Sequence, residues 1–237
     1  MRHISAVLIG IFFASIVCVT FAEPREHFTV TASPPQATLP RKVLLLPLDL
    51  AVYSVGAGGV TERAEDFTKD ERTETENMIR EEIAKDKHLE LVSLPQLDKT
   101  AQEQLDEHIA LYVQVAGAAL LHSGRQDPWP QKVTHFDYTL GNGLRFLKDR
   151  TGANAALIVF GEGGVPTLSS YVAGLLPLFV GVAYVPQARA TAVVGIVDLE
   201  TGNLLWLDQA ALPGGIMNSV SRVLSGYPDA PGDTAQK

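Results

Sequence analysis

The sequence predicts an α/β fold: a single domain with a mixed β-sheet of about five strands, flanking helices, and a C-terminal β-hairpin followed by a helix. Three observations predict it. Two short, almost wholly apolar runs, 42–50 and 155–160, have the composition of strands buried on both faces. Between them lie long segments whose apolar residues recur at spacings of three and four, the helical period. Near the C-terminus, Asp198-Leu199-Glu200-Thr201-Gly202-Asn203 is a tight connection between two apolar runs, with Gly202 where a positive φ is wanted. Alternating strands and helices closed by a hairpin imply one mixed sheet.

The first residues bear on compartment. Arg2 and His3 precede the apolar run 4–21, and Thr20-Phe21-Ala22 ends it with small residues at −3 and −1. This is the pattern of an export signal, residues 1–22, with cleavage expected after Ala22 and a periplasmic or envelope destination. Retention of the run as a membrane anchor is the alternative, because its length is near that of a bilayer span. Lipoprotein processing at Cys18 is a third reading, but Ser15-Ile16-Val17 lacks the small residue such a site needs just before the cysteine. Cleavage after Ala22 would remove the only cysteine, leaving a chain with no thiol chemistry and no disulfide. Residues 23–41, with Pro24, Pro34, Pro35 and Pro40, read as an extended linker carrying one edge strand at 28–31.

The domain spans 42–226. The run 42–50 is its first strand, and Pro47, unable to donate to a ladder, ends or bulges it. Gly56-Ala57-Gly58-Gly59 is a turn. A phosphate loop would continue with Lys-Ser/Thr into a helix, and Val60-Thr61-Glu62 follows instead. Residues 68–87 form a helix with Thr68 as its cap, Asp70, Glu71 and Glu74 near its positive end, and an inward stripe of Met78, Ile79 and Ile83. Residues 89–94 alternate as a half-buried strand closed by Pro95.

A long helix follows over 96–121, with Leu97, Ala101, Leu105, Ile109, Tyr112, Ala116 and Leu120 at helical spacing. Its second half is apolar on more than one side and is expected to be deeply packed. Residues 124–131 read as an irregular loop and 138–150 as a further helix, with Leu140, Leu144 and Leu147 on one face and Gly152 as its C-terminal stop. Strands at 155–160, 189–199 and 203–209 complete the sheet. A terminal helix over 214–225 turns Ile216, Val220, Val223 and Leu224 inward, and 227–237 is expected to be a loose tail.

The motifs Lys42-Val43-Leu44-Leu45-Leu46-Pro47, the glycine turn at 56–59, Thr151-Gly152-Ala153-Asn154-Ala155 entering a strand, and the stretch from Val197 to Trp206 together carry a resemblance. Residues 42–225 resemble the soluble periplasmic domains of the curli-secretion lipoprotein superfamily, to which the TolB amino-terminal domain is related in fold. The resemblance implies that fold and an envelope location. Its motifs are architectural, so it implies no catalytic residues. Two departures stand out: the poor cysteine context, and the absence of long amphipathic transmembrane hairpins, without which pore formation is not implied.

Residues that could carry chemistry are few. Asp49, Asp198 and Asp208 fall near expected strand ends, where turns also place Asp. His135-Phe136-Asp137 sets an imidazole near a carboxylate, but no Gly-x-Ser-x-Gly elbow supplies a nucleophile. His108 and His122 are 14 residues apart, too far along a helix to share one metal. Gly161-Glu162-Gly163-Gly164 has a phosphate loop's glycines but is followed by Pro166 and Thr167, and reads as a flexible exit from a strand. No cofactor is implied. The net charge of −8 argues against nucleic acid, which needs a basic face.

The unusual stretch is 165–188. No charged residue lies between Glu162 and Arg189, and the run holds Tyr171, Leu175, Leu176, Leu178, Phe179 and Tyr184, interrupted by Gly174, Pro177, Gly181 and Pro186. It reads as buried core, as a membrane span, or as an apolar excursion that docks, with those six residues as the binding surface. A non-enzymatic envelope protein with an interaction or assembly role follows from the third reading. Its partners would be a second copy, another envelope protein, or a peripheral membrane surface. The alternative is a small-ligand binder or enzyme whose pocket brings Asp49, His135 or Asp198 together near the strand ends.

Overall fold

The computed structural model describes residues 28–31, 40–56, 61–86, 89–123, 128–170 and 189–227. Its centre is a mixed sheet with strands β1 (Phe28–Thr31), β2 (Lys42–Leu45), β3 (Asp49–Val55), β4 (Thr61–Arg63), β5 (Glu90–Ser93), β6 (Ala155–Pro166), β7 (Arg189–Asp198) and β8 (Leu204–Pro213). The order across the sheet is β1-β8-β7-β6-β2-β5, with β3 continuing the β2 flank of β6 and β4 pairing outside β3. The helices are α1 (Glu65–Asp86), α2 (Lys99–His122), α3 (Pro130–Thr134), α4 (Arg145–Thr151) and α5 (Ile216–Ser225), with a 3-10 turn at Asn142–Leu144.

The expected α/β architecture is present, and the sheet is larger than the five strands read from the sequence. The run at 42–50 is two strands rather than one. β2 runs parallel to Ala155–Leu157, the chain breaks at Pro47, and β3 resumes parallel to 160–166. Proline explains the break, since it can give no ladder N–H. Arg72 of α1 braces it, donating from Nε to the Leu48 carbonyl at 3.1 Å. The four residues 28–31 do form an edge strand, antiparallel to β8.

Gly161–Gly164 is not a flexible exit. It is the second half of β6, paired with β3 on one side and β7 on the other. The glycines are needed because α5 lies directly on them. A Cβ at Gly161 would stand 2.5 Å from Ile216 Cγ2, and one at Gly163 would stand 3.2 Å from Ile216 Cγ1. Gly195 of β7 plays the same part on the opposite face, where a Cβ would meet the Tyr112 hydroxyl at 2.5 Å.

Side chains alternate across the sheet and fill two cores. One face carries Val43, Leu45, Leu157, Val159, Val194, Ile196 and Trp206 against Ile79 and Ile83 of α1 and Ile216, Val220, Val223 and Leu224 of α5. The other carries Leu44, Leu46, Ala156, Ile158, Leu204 and Leu207 against Leu105, Tyr112 and Ala116 of α2, with Leu144 and Leu147 behind. Full burial of each aliphatic side chain of this kind is worth about 1.5–3 kcal/mol. Of the residues expected inward, Ile79 and Ile83 of α1 and Ile216, Val220, Val223 and Leu224 of α5 are buried, while Met78 is only partly so.

Several expectations change. α1 begins at Glu65, so Thr68 lies inside it. Its hydroxyl is buried and accepts the Val52 N–H at 3.0 Å, tying the helix to β3. α2 is capped by Asp98, whose carboxylate accepts the Ala101 N–H at 3.0 Å. The second half of α2 is packed on one side only: Tyr112, Ala116 and Ala119 are buried, while Leu111 and Leu121 are 41% and 39% exposed. The helix expected over 138–150 starts late. Tyr138 and Leu140 instead bond in extended form to Leu204 and Gly202, and Gly141 turns with φ 71°. The stretch expected to be loop as far as residue 131 already enters α3 at Pro130. Tyr227, expected in the tail, is buried and meets Trp206 edge-on at 5.0 Å.

Candidate functional site

The two ends of the β7–β8 hairpin hold the candidates. At the turn end, Gly202 has φ 75° and lies so close to Gly141 that any Cβ would overlap the Gly141 carbonyl. Asp198 closes the turn. Its Oδ1 accepts from the Glu200 N–H at 2.9 Å, the Thr201 N–H at 2.7 Å and the Thr201 hydroxyl at 2.9 Å. Glu200 is held between Arg145 at 3.1 Å and Lys148 at 3.0 Å. This carboxylate therefore does a turn's work.

Asp49 is exposed at the break between β2 and β3, opposite Phe160, while Asp198 lies opposite Ala155 on the other flank of β6. The two stand about 16 Å apart along the strand at a strand rise of ~3.3 Å per residue. His135 is exposed after α3, its Nδ1 against the Thr134 hydroxyl at 2.9 Å. Asp137 pairs with Lys132 at 2.6 Å, which holds its carboxyl below the usual carboxylate range. Asp208 is not at a strand end: it sits fully buried within β8, opposite Val194. Asp49, His135 and Asp198 thus do not converge. His108 leans on Gly143 with Nδ1 at 2.8 Å from the Gln104 carbonyl, and His122 stacks on Trp129 at 3.9 Å. Among the described residues no group of three His, Cys, Asp or Glu could hold a metal ion.

The opposite, open end is where 165–188 leaves the sheet. Gly164 of β6 pairs with Arg189 of β7, so the chain departs and returns at neighbouring points. Val165 and Pro166 stay paired with Ser54 and Val55 of β3 after β7 has ended. The Val55 carbonyl then collects the Thr167 N–H at 3.0 Å, the Thr167 hydroxyl at 3.2 Å and the Ser170 hydroxyl. Leu168, in the helical turn between them, is 80% exposed. Tyr171, Leu175, Leu176, Leu178, Phe179 and Tyr184, the six expected binding residues, lie outside the described residues.

Helix α5 opens at the same end and is fastened by polar contacts that the sequence does not advertise. Glu71 of α1 accepts the Met217 N–H at 2.7 Å, satisfying a backbone donor of the first turn from another helix. Glu82 accepts the Ser221 hydroxyl at 2.7 Å. The Ser219 hydroxyl sits between paired residues of β7 and β8, donating to the Ala190 carbonyl at 2.8 Å and accepting the Leu212 N–H at 3.3 Å. No periodicity could have pointed to these contacts, because all but the Leu212–Ser219 bond join residues far apart in the chain. Burial raises the Tyr112 and Tyr227 phenol pKa values above the ordinary range, so both stay protonated.

No protein-family model matches the chain, and no curated protein matches it. Distant likenesses appear among solved structures. A PelC dodecamer from Paraburkholderia phytofirmans is 9% identical with a TM-score of 0.34, covering 86% of this chain and 99% of that one. The LpoB C-terminal domain from Salmonella enterica is 14% identical with a TM-score of 0.32, covering 77% and 88%. Lipoprotein GNA1162 from Neisseria meningitidis is 15% identical with a TM-score of 0.30, covering 79% and 93%. At these scores nothing about assembly or function passes from them to this chain.

Proposed function

We propose that this protein is a non-enzymatic component of the cell envelope that associates with a partner through the apolar excursion at 165–188. One observation carries the proposal: the chain from 167 to 188, which holds no charged residue, is inserted between two strands whose ends already pair, Gly164 with Arg189. A connection of that length is ordinarily polar, because its backbone needs water or partners. Both faces of the sheet already carry cores built from α1, α5, α2 and α4, and the first apolar side chain after β6, Leu168, faces solvent. The export-type leader at 1–22 and the resemblance over 42–225 support an envelope location.

The test is the size of the purified protein by sedimentation, with and without detergent, for the wild type and for Leu176→Ser/Phe179→Ser. Detergent-sensitive association in the wild type, lost in a variant that still unfolds cooperatively, is the expected result. A wild type that is monomeric in both conditions, together with a variant that cannot fold, would make the run ordinary core and end the proposal.

A further inference from the structure

Of the six large apolar side chains exposed among the described residues, four fall in one stretch: Leu111 and Leu121 on α2, Trp129 just before α3, and Val133 within it. Trp129 is fastened to the end of α2. Its N–H donates to the His122 carbonyl at 2.8 Å, and its ring stacks on the His122 ring at 3.9 Å. Apolar side chains exposed singly need no explanation, whereas a group of them on one helix and its following turn marks a contact surface.

Helix α2 changes character halfway along. At about 100° per residue, Lys99, Glu103, Ala110, Gln114, Gly117 and Leu121 share one outward stripe, and all six are exposed. As far as Glu107 the stripe and its flanks carry Lys99, Glu103, Asp106 and Glu107, but from 108 to 122 there is no Asp, Glu, Lys or Arg. The inner side of these later turns, with Tyr112, Ala116 and Ala119, is already packed on the sheet. On the outer side a Cβ at Gly117 would meet nothing within 4 Å, so the middle of the stripe is open to close approach.

From Ala110 to Leu121 the stripe advances by four, three and four residues, the spacing of a coiled-coil seam. It fits its own copy in one arrangement. With two α2 helices antiparallel about a two-fold axis midway between Val115 and Ala116, Ala110 of each faces Leu121 of the other, and Gln114 faces Gly117. Every layer then sets a larger side chain against a smaller one, so a single surface is complementary to itself. This register sends Glu103, Asp106 and Glu107 of the two copies to opposite ends of the pair, where parallel pairing would stack them on one another. It also makes His122 level with Ile109 of the second copy, which brings Trp129 beside the Leu111 end of that helix.

We propose that the charge-free half of α2, with Trp129, is the interface of an antiparallel homodimer. A bilayer surface fits it poorly. An interfacial helix borders its apolar face with Lys and Arg, whereas α2 has Lys99 alone, three carboxylates continuing the outward face, and Gln114 in the middle of the seam. Size sets the strength. From 110 to 121 is about 17 Å of helix, which at a width of ~10–12 Å gives a footprint of roughly 200 Å² per copy. The exposed half of Trp129 adds on the order of 100 Å². A standard stable interface takes about 800 Å² per partner, so this dimer is reversible and forms with rising concentration. The surface is separate from the excursion, and the inference does not depend on the function proposed above.

The test uses the full chain with Cys18→Ser, which removes the only native thiol, and one new cysteine at a time. In the antiparallel register the two copies of position 114 are about 4.5 Å apart along the helix axis, and those of position 102 about 40 Å apart. Mild oxidation should therefore link Gln114→Cys into a disulfide dimer, more so at higher protein concentration, and should leave Gln102→Cys, also exposed, unlinked. Adding Gly117→Glu should cut the linkage at least tenfold while leaving the melting temperature unchanged or higher, because the new side chain enters open space on a helix. Linkage at 114 no greater than at 102, or linkage at 114 that survives Gly117→Glu, would overturn the interface. Linkage at 114 that appears only after Leu176→Ser/Phe179→Ser would show that the chain's own excursion covers this face, and would overturn the second copy as its occupant.

Discussion

The two ends of the β7–β8 hairpin are built on opposite principles. The turn end is closed by local chemistry: Asp198 satisfies its own turn, Gly202 nests on Gly141, and Glu200 is gripped by Arg145 and Lys148. The open end is closed by contacts between distant elements. Ile216 lies over Gly161 and Gly163, Glu71 receives the α5 backbone, Ser219 enters the ladder, and Thr167 and Ser170 hang on the Val55 carbonyl. The difference teaches where stability and association should separate. The turn end and the core beneath it should govern folding, and the open end should tolerate surface change while governing what the protein touches.

The sharpest test of that division is Trp206→Ala. The side chain is fully buried against Tyr227, and its removal should cost about 3–5 kcal/mol in denaturant unfolding. A loss well below ~1 kcal/mol would show that the hairpin is not the centre of the fold. Next comes Gly202→Ala, which combines an unfavourable positive φ with a clash against the Gly141 backbone. About 2–4 kcal/mol is expected, read from the denaturant midpoint.

Gly161→Ala at the open end should cost less, about 1–3 kcal/mol, because its added methyl meets the ends of Ile216 and Leu50, which can shift, rather than backbone. If Gly161→Ala proved costlier than Gly202→Ala, the contrast between the ends would be reversed.

A smaller effect is expected from acid. Hydrogen bonding to Arg150, then to the Ala101 N–H, holds the Asp98 carboxyl below its ordinary value. A depressed folded-state pKa means that the contribution is complete above the unfolded carboxylate pKa, about 4, and is lost as pH falls through the folded value. Thermal melts should therefore show a modest loss on acidification below about pH 4 that Asp98→Asn reduces. Smallest of all for stability should be Leu176→Ser/Phe179→Ser, with melting nearly unchanged and detergent-sensitive association lost. A large fall in melting temperature would place the run in the core and collapse the distinction between the ends.

What the sequence determined by itself is whatever rests on neighbours in the chain. The apolar runs at 42–46 and 155–160 declare buried strands, the spacing of Ile216, Val220, Val223 and Leu224 declares an amphipathic helix, and Gly152 and Gly202 declare left-handed turns, with φ values of 66° and 75°. The alternation of Leu50 and Val52 was a readable sign of β3 that the glycine turn behind it obscured. Tertiary structure alone decided the rest. Gly161-Glu162-Gly163-Gly164 has a loop's composition and becomes strand because Ile216, more than fifty residues on, needs a surface without side chains. Thr68 looks like a helix cap and instead serves β3, and Tyr227 looks like tail and instead covers Trp206. The candidate catalytic groups were held apart in the same way, by strand pairings that set Asp49 and Asp198 on opposite flanks of β6. The physical reason is common to all of them: propensity and spacing encode what a residue can do within a few turns of its own chain, while close approach and buried hydrogen bonding depend on which distant segment arrives opposite it.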